Sequence, residues 1–414
     1  MVPNSPQSSN AVTSVVIGAG GTGGHIYPGL ATADAIRAAR PDSQIVFVGT
    51  KRGLEGRLIP QAGYELVTVD MLPLNTNLRW RLAFFPFSIV RSTVQTLRTL
   101  RERKADVVLG MGGYPSVPAV LAAWLARVPR IIHESNATPG LANRFVSRFA
   151  PNIALAFREG GRNLPRHRDT RLVGMPISES LAAFDRDALR EEARAHFNLK
   201  DGERMVLVSG GSLGAVRLSR AAADLAGRWR DRTDIRLVIK AGRDQLPAIE
   251  QQLTSNGGHA VATAVAYLDR MDLAYAAADI TVCRAGSGTV AELSHVGLPA
   301  VLVPYPSAAH DHQSFNAQAL VDVGAAVMIP DSDVTADRLE QVLTPILADP
   351  ARVAAMAAAA HQTVHATAAR DLARWVLELA DHPGTDRLND HSDADRNRTD
   401  DHYNSNDHEQ ELSA

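Results

Sequence analysis

The stretch "IGAGGTGGHIYPG", residues 17–29, places five glycines among the seven positions from Gly18 to Gly24, then His25 and Pro28. The apolar "SVVI" before it reads as a buried strand, and "YPGLATADAIRAAR" after it reads as a helix. Glycine lets backbone come close to a ligand and tolerates positive φ. A strand, a glycine turn and a helix N-terminus together make an anion site, because free N–H groups and the helix dipole point the same way. The stretch therefore predicts a βα unit that takes a phosphate.

Working outward, the runs "SVVIG", "QIVFVG", "ELVTV", "DVVLG", "RIIHE" and "NIALAF" alternate with helical patterns such as "SVPAVLAAWLA" and "PGLANRFVSRFA". That alternation is the signature of βαβ units on a parallel sheet. "REGGRNLPRHRDT", residues 158–170, is a Gly/Pro/Arg-rich break, after which the pattern restarts with "RMVLVSGGSLGAVRLSRAAADLAG". It continues through "IRLVIKAG", "ITVCRAG" and "PAVLVPY". The expected fold is α/β, with two Rossmann-like, doubly wound domains at residues 14–165 and 166–380. Residues 1–13 are expected to be flexible. The acidic tail 381–414 has few large apolar residues and is expected to be disordered. Doubly wound sheets bind ligands at the carboxyl ends of their strands. Both glycine turns are thus expected to face one cleft that takes two substrates.

At 45% hydrophobic and 21% charged residues, the composition is that of an ordinary globular protein. The stretch "LAFFPFSIV" is too short to span a bilayer and no signal-peptide pattern opens the chain, so a cytoplasmic protein is expected. The single cysteine, Cys283, excludes an internal disulfide and a cysteine-rich zinc site. Within "ITVC" it reads as a buried, inert thiol. Residues 1–174 carry 21 Lys and Arg against 10 Asp and Glu. Such a basic half suits an anionic partner: a membrane surface, a nucleic acid or a phosphorylated acceptor.

Gly18, Gly20 and Gly23 satisfy a G-x-G-x-x-G dinucleotide pattern. The acidic residue such sites place after the second strand is missing from "VFVGTKRG"; Lys51 and Arg52 would suit a 2′-phosphate, which keeps an NADP enzyme open. In "CRAGSGTVAEL", residues 283–293, the turn offers Gly286, Ser287, Gly288 and Thr289 to a diphosphate. Glu292, read as lying in the first helical turn, is favoured there by the dipole and can accept two hydrogen bonds from a ribose diol; its alternative role is a capping box. "HDHQSFNA", residues 310–317, supplies the amide of Gln313, and its His310 and His312 resemble a metal pair with no third ligand nearby. No metal and no cofactor is expected. His25, at a helix N-terminus, should be kept neutral by the dipole and so be fit to act as a general base, with packing or capping as the alternative.

The motifs "GGTGGHIYPGLA", "GMGGYPSVPAVLAAW", "HESNATPGLANR", "GGSLGA", "YLDRMDLAYAAADITVCRAGSGTVAEL", "GLPAVLVPYP" and "HDHQSFNAQAL" follow one another over roughly residues 14–380. In these the chain resembles the MurG family, GT-B glycosyltransferases that add N-acetylglucosamine (GlcNAc) to lipid I in peptidoglycan synthesis. The resemblance implies UDP-GlcNAc contacts at Thr22, Gly23, Gly24 and Asn136, a phosphate contact at Ser212, and the Leu268 backbone against uracil. It implies that Ser287, Gly288, Thr289, Val290, Ala291 and Glu292 hold phosphate and ribose behind Arg284, and that Gln313 contacts the sugar. The acceptor pyrophosphate would meet Gly20 and Gly21 of the first loop and Gly112, Gly113 and Tyr114 of "GMGGY". The chain departs from the family pattern at Leu213 and Ser135, where glutamine is usual. In "VGMPIS" it has Met175 and Ser178 where the family has asparagine or isoleucine, and then arginine. The sequence leaves open whether Arg171 substitutes for that arginine.

Residues 71–104 interleave Leu72, Leu74, Trp80, Phe84, Phe85 and Phe87 with Arg79, Arg81, Arg91, Arg98 and Arg101, a pattern suited to an anionic lipid surface. The resemblance implies peripheral attachment through this region on the cytoplasmic face of the membrane, cell-wall and division proteins as partners, and no nucleic acid. It also implies an inverting transfer through a transition state of oxocarbenium character, with helix N-termini and Arg284 neutralising the departing diphosphate. The alternatives are a GT-B transferase with another acceptor and a non-catalytic nucleotide-sugar-binding adaptor.

Overall fold

The structure, a computed structural model, describes residues 12–51, 53–71, 79–162, 164–165, 168–210, 215–308, 311–362 and 365–382, and of residues 79–85 the backbone alone. The expected flexible N-terminus and acidic tail lie almost wholly outside the described residues. Strands β1 (Ser14–Gly18), β2 (Gln44–Gly49), β3 (Glu65–Thr68), β4 (Val107–Gly110), β5 (Arg130–Glu134), β6 (Asn152–Leu155) and β7 (Asp169–Leu172) form one parallel sheet. Its order is β3-β2-β1-β4-β5-β6-β7. A second parallel sheet comprises β8 (Arg204–Ser209), β9 (Ile235–Lys240), β10 (Ala262–Val265), β11 (Ala278–Cys283), β12 (Ala300–Leu302) and β13 (Ala326–Met328), in the order β10-β9-β8-β11-β12-β13. Val15, Val16 and Ile17 of β1 are wholly buried. Helices cover both faces of such a sheet, which is why its strands read as unbroken apolar runs.

The crossovers of the first sheet are α1 (Gly23–Ala39), α2 (Glu55–Gln61), α3 (Arg79–Glu102), α4 (Ser116–Ala126) and α5 (Leu141–Val146). Then come α6 (Glu179–Ala182), α7 (Arg186–His196), α8 (Val216–Arg228), α9 (Leu246–Ser255) and α10 (Met271–Ala277). The series ends with α11 (Ser287–Val296), α12 (His312–Asp322), α13 (Ala336–Leu347), α14 (Pro350–His361) and α15 (Ala368–Asp381). Local signals start several of these. Asp185 caps α7 by accepting from the Asp187 and Ala188 amides, and Asp349 caps α14 ahead of Pro350.

Two boundaries differ from the expected split at 165/166. Strand β7 pairs with β6 from Asn152↔Asp169 to Leu155↔Leu172, so the first sheet runs on to Leu172. Its residues are all exposed at the sheet edge, and "DTRL" carries no apolar run to announce a strand. Helix α15 returns from the second half to the first sheet. Leu372, Trp375, Val376 and Leu379 share one core with Val15, Ile17, Phe47 and Met111. Arg40 clamps the end of α15 with two 2.8 Å bonds to the Asp381 carboxylate. The amphipathic pattern of α15 says that one face is covered, but not by which sheet.

Trp375 is 3% exposed. Trp375→Ala should therefore cost about 3–5 kcal/mol, read as a lower urea midpoint. An unchanged midpoint would mean that α15 contributes no packing to the first sheet.

Candidate active site

In the first sheet the chain reverses direction between β1 and β4, which are paired with Gly18 opposite Gly110. In the second sheet β8 and β11 are the equivalent neighbours, ending at Ser209 and Cys283. A doubly wound sheet opens its ligand crevice at such a point. The loops that follow β1, β4 and β11 are the three glycine motifs "GAGGTGG", "GMGGY" and "RAGSG". The fourth, after β8, contains Ser212, which lies outside the described residues.

Helix α1 begins at Gly23, so His25 sits in its first turn, half-buried. Its Nδ1 is 3.2 Å from Thr22 Oγ1, and its ring lies against the backbone of "GMGGY". A β-carbon on Gly112 would fall 3.0 Å from His25 Cδ2, and one on Gly113 would fall 2.5 Å from the Gly20 carbonyl oxygen. Gly112 and Gly113 also have φ of +91° and +74°, a region that favours glycine. Burial holds the His25 pKa down at about 4, helped by nearby His312 and opposed by the Gly20 backbone and Glu55. The ring is neutral at pH 7, as expected, but burial is the leading cause rather than the dipole. Nδ1 thus lies beside Thr22, and Nε2 faces Gly112, where a β-carbon would fall 3.2 Å from it.

Glu134 of β5 is buried and organises the "HESN" loop. Its carboxylate accepts from the Asn136 amide at 2.9 Å, the Gly140 amide at 3.1 Å and Asn143 Nδ2 at 2.9 Å. Asn136 is thereby held at the domain junction. There Asn316 Nδ2 donates to Asn136 Oδ1 at 3.3 Å and to the Ala285 carbonyl at 3.4 Å, and the Ala137 amide donates to Asn316 Oδ1 at 2.9 Å. Fully buried Asn316 thus ties "HESN" to the "RAGSG" turn. Ser135 is buried too, with Oγ 3.3 Å from His133 Nδ1, and His133 Nε2 lies 3.0 Å from the Gly174 carbonyl.

On the donor side, Gly286 is the N-cap of α11, with Ser287, Gly288 and Thr289 in its first turn and Val290 and Ala291 following. Glu292 stands six residues past that cap, in the second turn, not the first. A capping box needs the third position, so that alternative falls. Instead Glu292 Oε2 accepts a 2.6 Å bond from Tyr275 OH. Burial raises the Glu292 pKa, while the Tyr275 bond and Lys240 lower it. Burial also pushes the Cys283 thiol up to about 12, as suits an inert core residue. Leu268 is 7% exposed. Gln313, at the start of α12, accepts the Tyr305 amide through Oε1 at 2.9 Å. His312 reaches His25 electrostatically, while His310 lies outside the described residues. Among the described residues no three His, Cys, Asp or Glu side chains gather into a metal site.

Two arginines bear on the expected donor contacts. Arg284 is buried and its guanidinium is committed: 2.7 Å from Asp331 Oδ1, with bonds to the carbonyls of Val303 at 3.2 Å and Pro304 at 3.1 Å. These contacts all use Nη1, while Nε is buried without a hydrogen-bond partner among the described residues. Arg171 does not stand in for the family's arginine. It binds Asp169 at 2.7 Å and lies 4.2 Å over the Trp375 ring. Met175 is buried and Ser178 caps α6 by accepting from the Leu181 amide at 3.4 Å. Sequence reasoning also passed over Glu55, Thr50, Tyr275 and Asn316. Tyr275 and Asn316 lie inside quoted motifs but show their roles only through Glu292 and the "HESN" loop, and Glu55 and Thr50 only through the two glycine loops they join.

One crevice closed by glycine loops from two parallel sheets, with a neutral imidazole on one wall and a carboxylate-bearing helix on the other, defines a GT-B glycosyltransferase. The glycosyltransferase family 28 N-terminal domain matches residues 15–155, and the family's C-terminal domain matches residues 205–373. The UDP-N-acetylglucosamine–N-acetylmuramyl-(pentapeptide) pyrophosphoryl-undecaprenol N-acetylglucosamine transferase of Saccharopolyspora erythraea is 43% identical, over 89% of this chain and 94% of its own. That of Mycolicibacterium vanbaalenii is also 43% identical, over 88% and 90%. A crystal structure of Acinetobacter baumannii MurG superposes with a TM-score of 0.71 at 29% identity, covering 88% of this chain and 99% of that one. The chain belongs to the MurG group of glycosyltransferase family 28. This finding does not favour the NADP alternative; Lys51 is exposed and Arg52 lies outside the described residues.

Glu292→Ala should weaken binding of UDP-GlcNAc by about 1.5–3 kcal/mol if charge-assisted bonds to a ribose are lost. Titration calorimetry reads this directly, and an unchanged Kd would confine Glu292 to its bond with Tyr275.

Proposed function

We propose that the chain is an inverting transferase that moves GlcNAc from UDP-GlcNAc to the 4-hydroxyl of the muramyl residue of lipid I, forming lipid II. The observation that carries this reading is His25, neutral and wedged between the two glycine motifs of the first sheet. Its helix packs against α11, the helix that offers its N-terminus to a diphosphate. Nε2 takes the proton from the acceptor hydroxyl as that oxygen attacks C1 in line and UDP departs. Gly20, Gly21, Gly112, Gly113 and Tyr114 line the acceptor pyrophosphate. Thr22, Gly23, Gly24, Asn136, Ser212 and Gln313 surround the sugar and phosphates. Val290 and Ala291 lie along α11 beside the nucleotide, and the Leu268 backbone reads uracil. With Arg284 Nη1 turned to Asp331, the charge that develops on the leaving diphosphate is met first by the N–H groups of Ser287, Gly288 and Thr289.

The test is transfer of radiolabelled GlcNAc from UDP-GlcNAc to a lipid I analogue. Wild type should turn over, and His25→Ala should lower kcat by about 10²–10⁴-fold with donor affinity nearly unchanged. A folded His25→Ala protein with normal kcat would remove the base from this loop.

We further infer peripheral docking on an anionic membrane at its cytoplasmic face. Among the described residues no single helix is long and apolar enough to cross a membrane. Phe87 and Val90 of α3 are 66% and 61% exposed, and Trp124 and Leu125 of α4, which packs against α3, are 46% and 56% exposed. Arg91, Arg98, Arg127 and Arg144 are exposed nearby in sequence, as an anionic surface requires. The expected Leu72 and Leu74 lie outside the described residues, as do the side chains of Arg79, Trp80, Arg81, Phe84 and Phe85. Phe87→Ser with Leu125→Ser should lower partitioning onto phosphatidylglycerol vesicles with little change in Tm, since both side chains are more than half exposed. Unchanged partitioning would place the docking surface elsewhere. Division and cell-wall proteins would then be met at that membrane.

A further inference from the structure

Glu55, at the start of α2, is a carboxylate of 0% exposure that no step of the transfer uses. It has no cationic partner among the described ion pairs, but it does not lack donors. Thr50 gives it both the amide, at 3.1 Å, and the hydroxyl, at 2.6 Å, on Oε1. The Gly21 amide donates to Oε2 at 3.2 Å. The backbone around it is stripped bare. A β-carbon on Gly53 would lie 2.0 Å from Oε2, one on Gly20 2.8 Å from Oε1, and one on Gly49 2.9 Å from Cγ. Gly20, Gly49 and Gly53 thus make room for the Glu55 side chain. The Gly21 N–H, expected to face the acceptor, is turned inward to Glu55.

The bonds continue into the second glycine motif. A hydroxyl has one proton, and Thr50 spends its own on Glu55, so at the 3.3 Å contact with Thr50 Oγ1 it is Tyr114 OH that donates. Tyr114 Cε1 in turn covers Gly21, 3.4 Å from where its β-carbon would be. The charged and titratable groups that bear on His25 are His312 of α12, His133 of β5 and Glu55; of these Glu55 alone favours the protonated ring.

We propose that Glu55 is a positioning residue for the transfer: through the Gly21 amide and Thr50 it fixes the first glycine loop, which leads into His25, against Tyr114. The loop then holds the ring in place as it takes the acceptor proton, without help from substrate. This rests on His25 being the base in the proposed transfer.

The test compares wild type, Glu55→Gln and Thr50→Val in the same radiolabel assay, with UDP-GlcNAc affinity measured by calorimetry. Glu55→Gln keeps the shape, removes the charge and brings an N–H₂ against the amides it should accept from. The expected result is a fall in kcat of about 10²-fold, the scale of a small misplacement of a catalytic group, with the UDP-GlcNAc Kd within twofold of wild type. Thr50→Val, which breaks the link to Tyr114 but leaves the carboxylate, should lose less. Normal kcat in a folded Glu55→Gln protein overturns the proposal, and so does a parallel loss of donor affinity, which would signal general collapse of the cleft. If Glu55→Gln does not fold, Thr50→Val decides: a lowered kcat at unchanged Kd supports the link, and wild-type kcat overturns it. A wild type that fails to transfer GlcNAc overturns the functional reading, and the Glu55 proposal with it. Transfer by wild type with unaffected variants overturns the Glu55 proposal alone.

Discussion

The carbonyl oxygen of Gly20 comes so near Gly113 that a β-carbon there would sit 2.5 Å away, so the two glycine loops of the first sheet can meet only as bare backbone. Much of the active centre depends on that approach. It follows from the topology: β1 and β4 are neighbours, yet the chain leaves them toward opposite faces, and their loops must share the space between. The first loop delivers His25 and the second closes over its ring. Because the ring is shut in by backbone, burial outweighs the other influences on its pKa and keeps it neutral. A neutral imidazole is thus made by packing, at a cost in hydration that the surrounding core offsets.

Much of this could be read from the residues. The strands announced themselves because a parallel sheet covered on both faces needs unbroken apolar runs, and the glycine turns did so because few other residues allow such approaches. Less legible were features whose cause lies far away in sequence. Strand β7 is polar because it is an exposed edge, so nothing in "DTRL" distinguishes it from a loop. Helix α15 shows an apolar face but not its destination. Glu55, Tyr275 and Asn316 gain meaning only from partners as far as 180 positions away. The glycines themselves were read too uniformly: Gly20 and Gly53 make room for Glu55, whereas a β-carbon on Gly24 or Gly288 would meet far less.

The two halves solve the same electrostatic problem differently. In the first, a buried carboxylate accepts from two amides and a hydroxyl, with no cation paired to it among the described residues. In the second, Glu292 keeps one oxygen on Tyr275 while Lys240 lends a positive charge. A carboxylate bound by fixed neutral donors retains its net charge in the local field; one beside a cation is partly compensated. The first arrangement suits a carboxylate that must hold two backbone segments together, as Glu55 holds the Gly21 amide to Thr50. The second suits a carboxylate that must accept hydrogen bonds from a neutral diol without repelling the phosphates next to it.

Arg284 shows why residue type and position alone do not assign a role. It ends the strand before a diphosphate turn, where a cation would be welcome, yet it points its charge at Asp331 and two carbonyls. Asp331 also lies 3.4 Å from Arg217 Nε, so the pair fastens β11 and α8 to the turn after β13. An arginine so held stiffens the floor under "RAGSG", and a stiff floor is what helix-terminal N–H groups need. Backbone dipoles stabilise charge only while they stay aimed, and they do so without reorganising at the moment the bond breaks. The cation therefore acts on the turn through the backbone it holds, by fixing the direction of the dipoles at the start of α11.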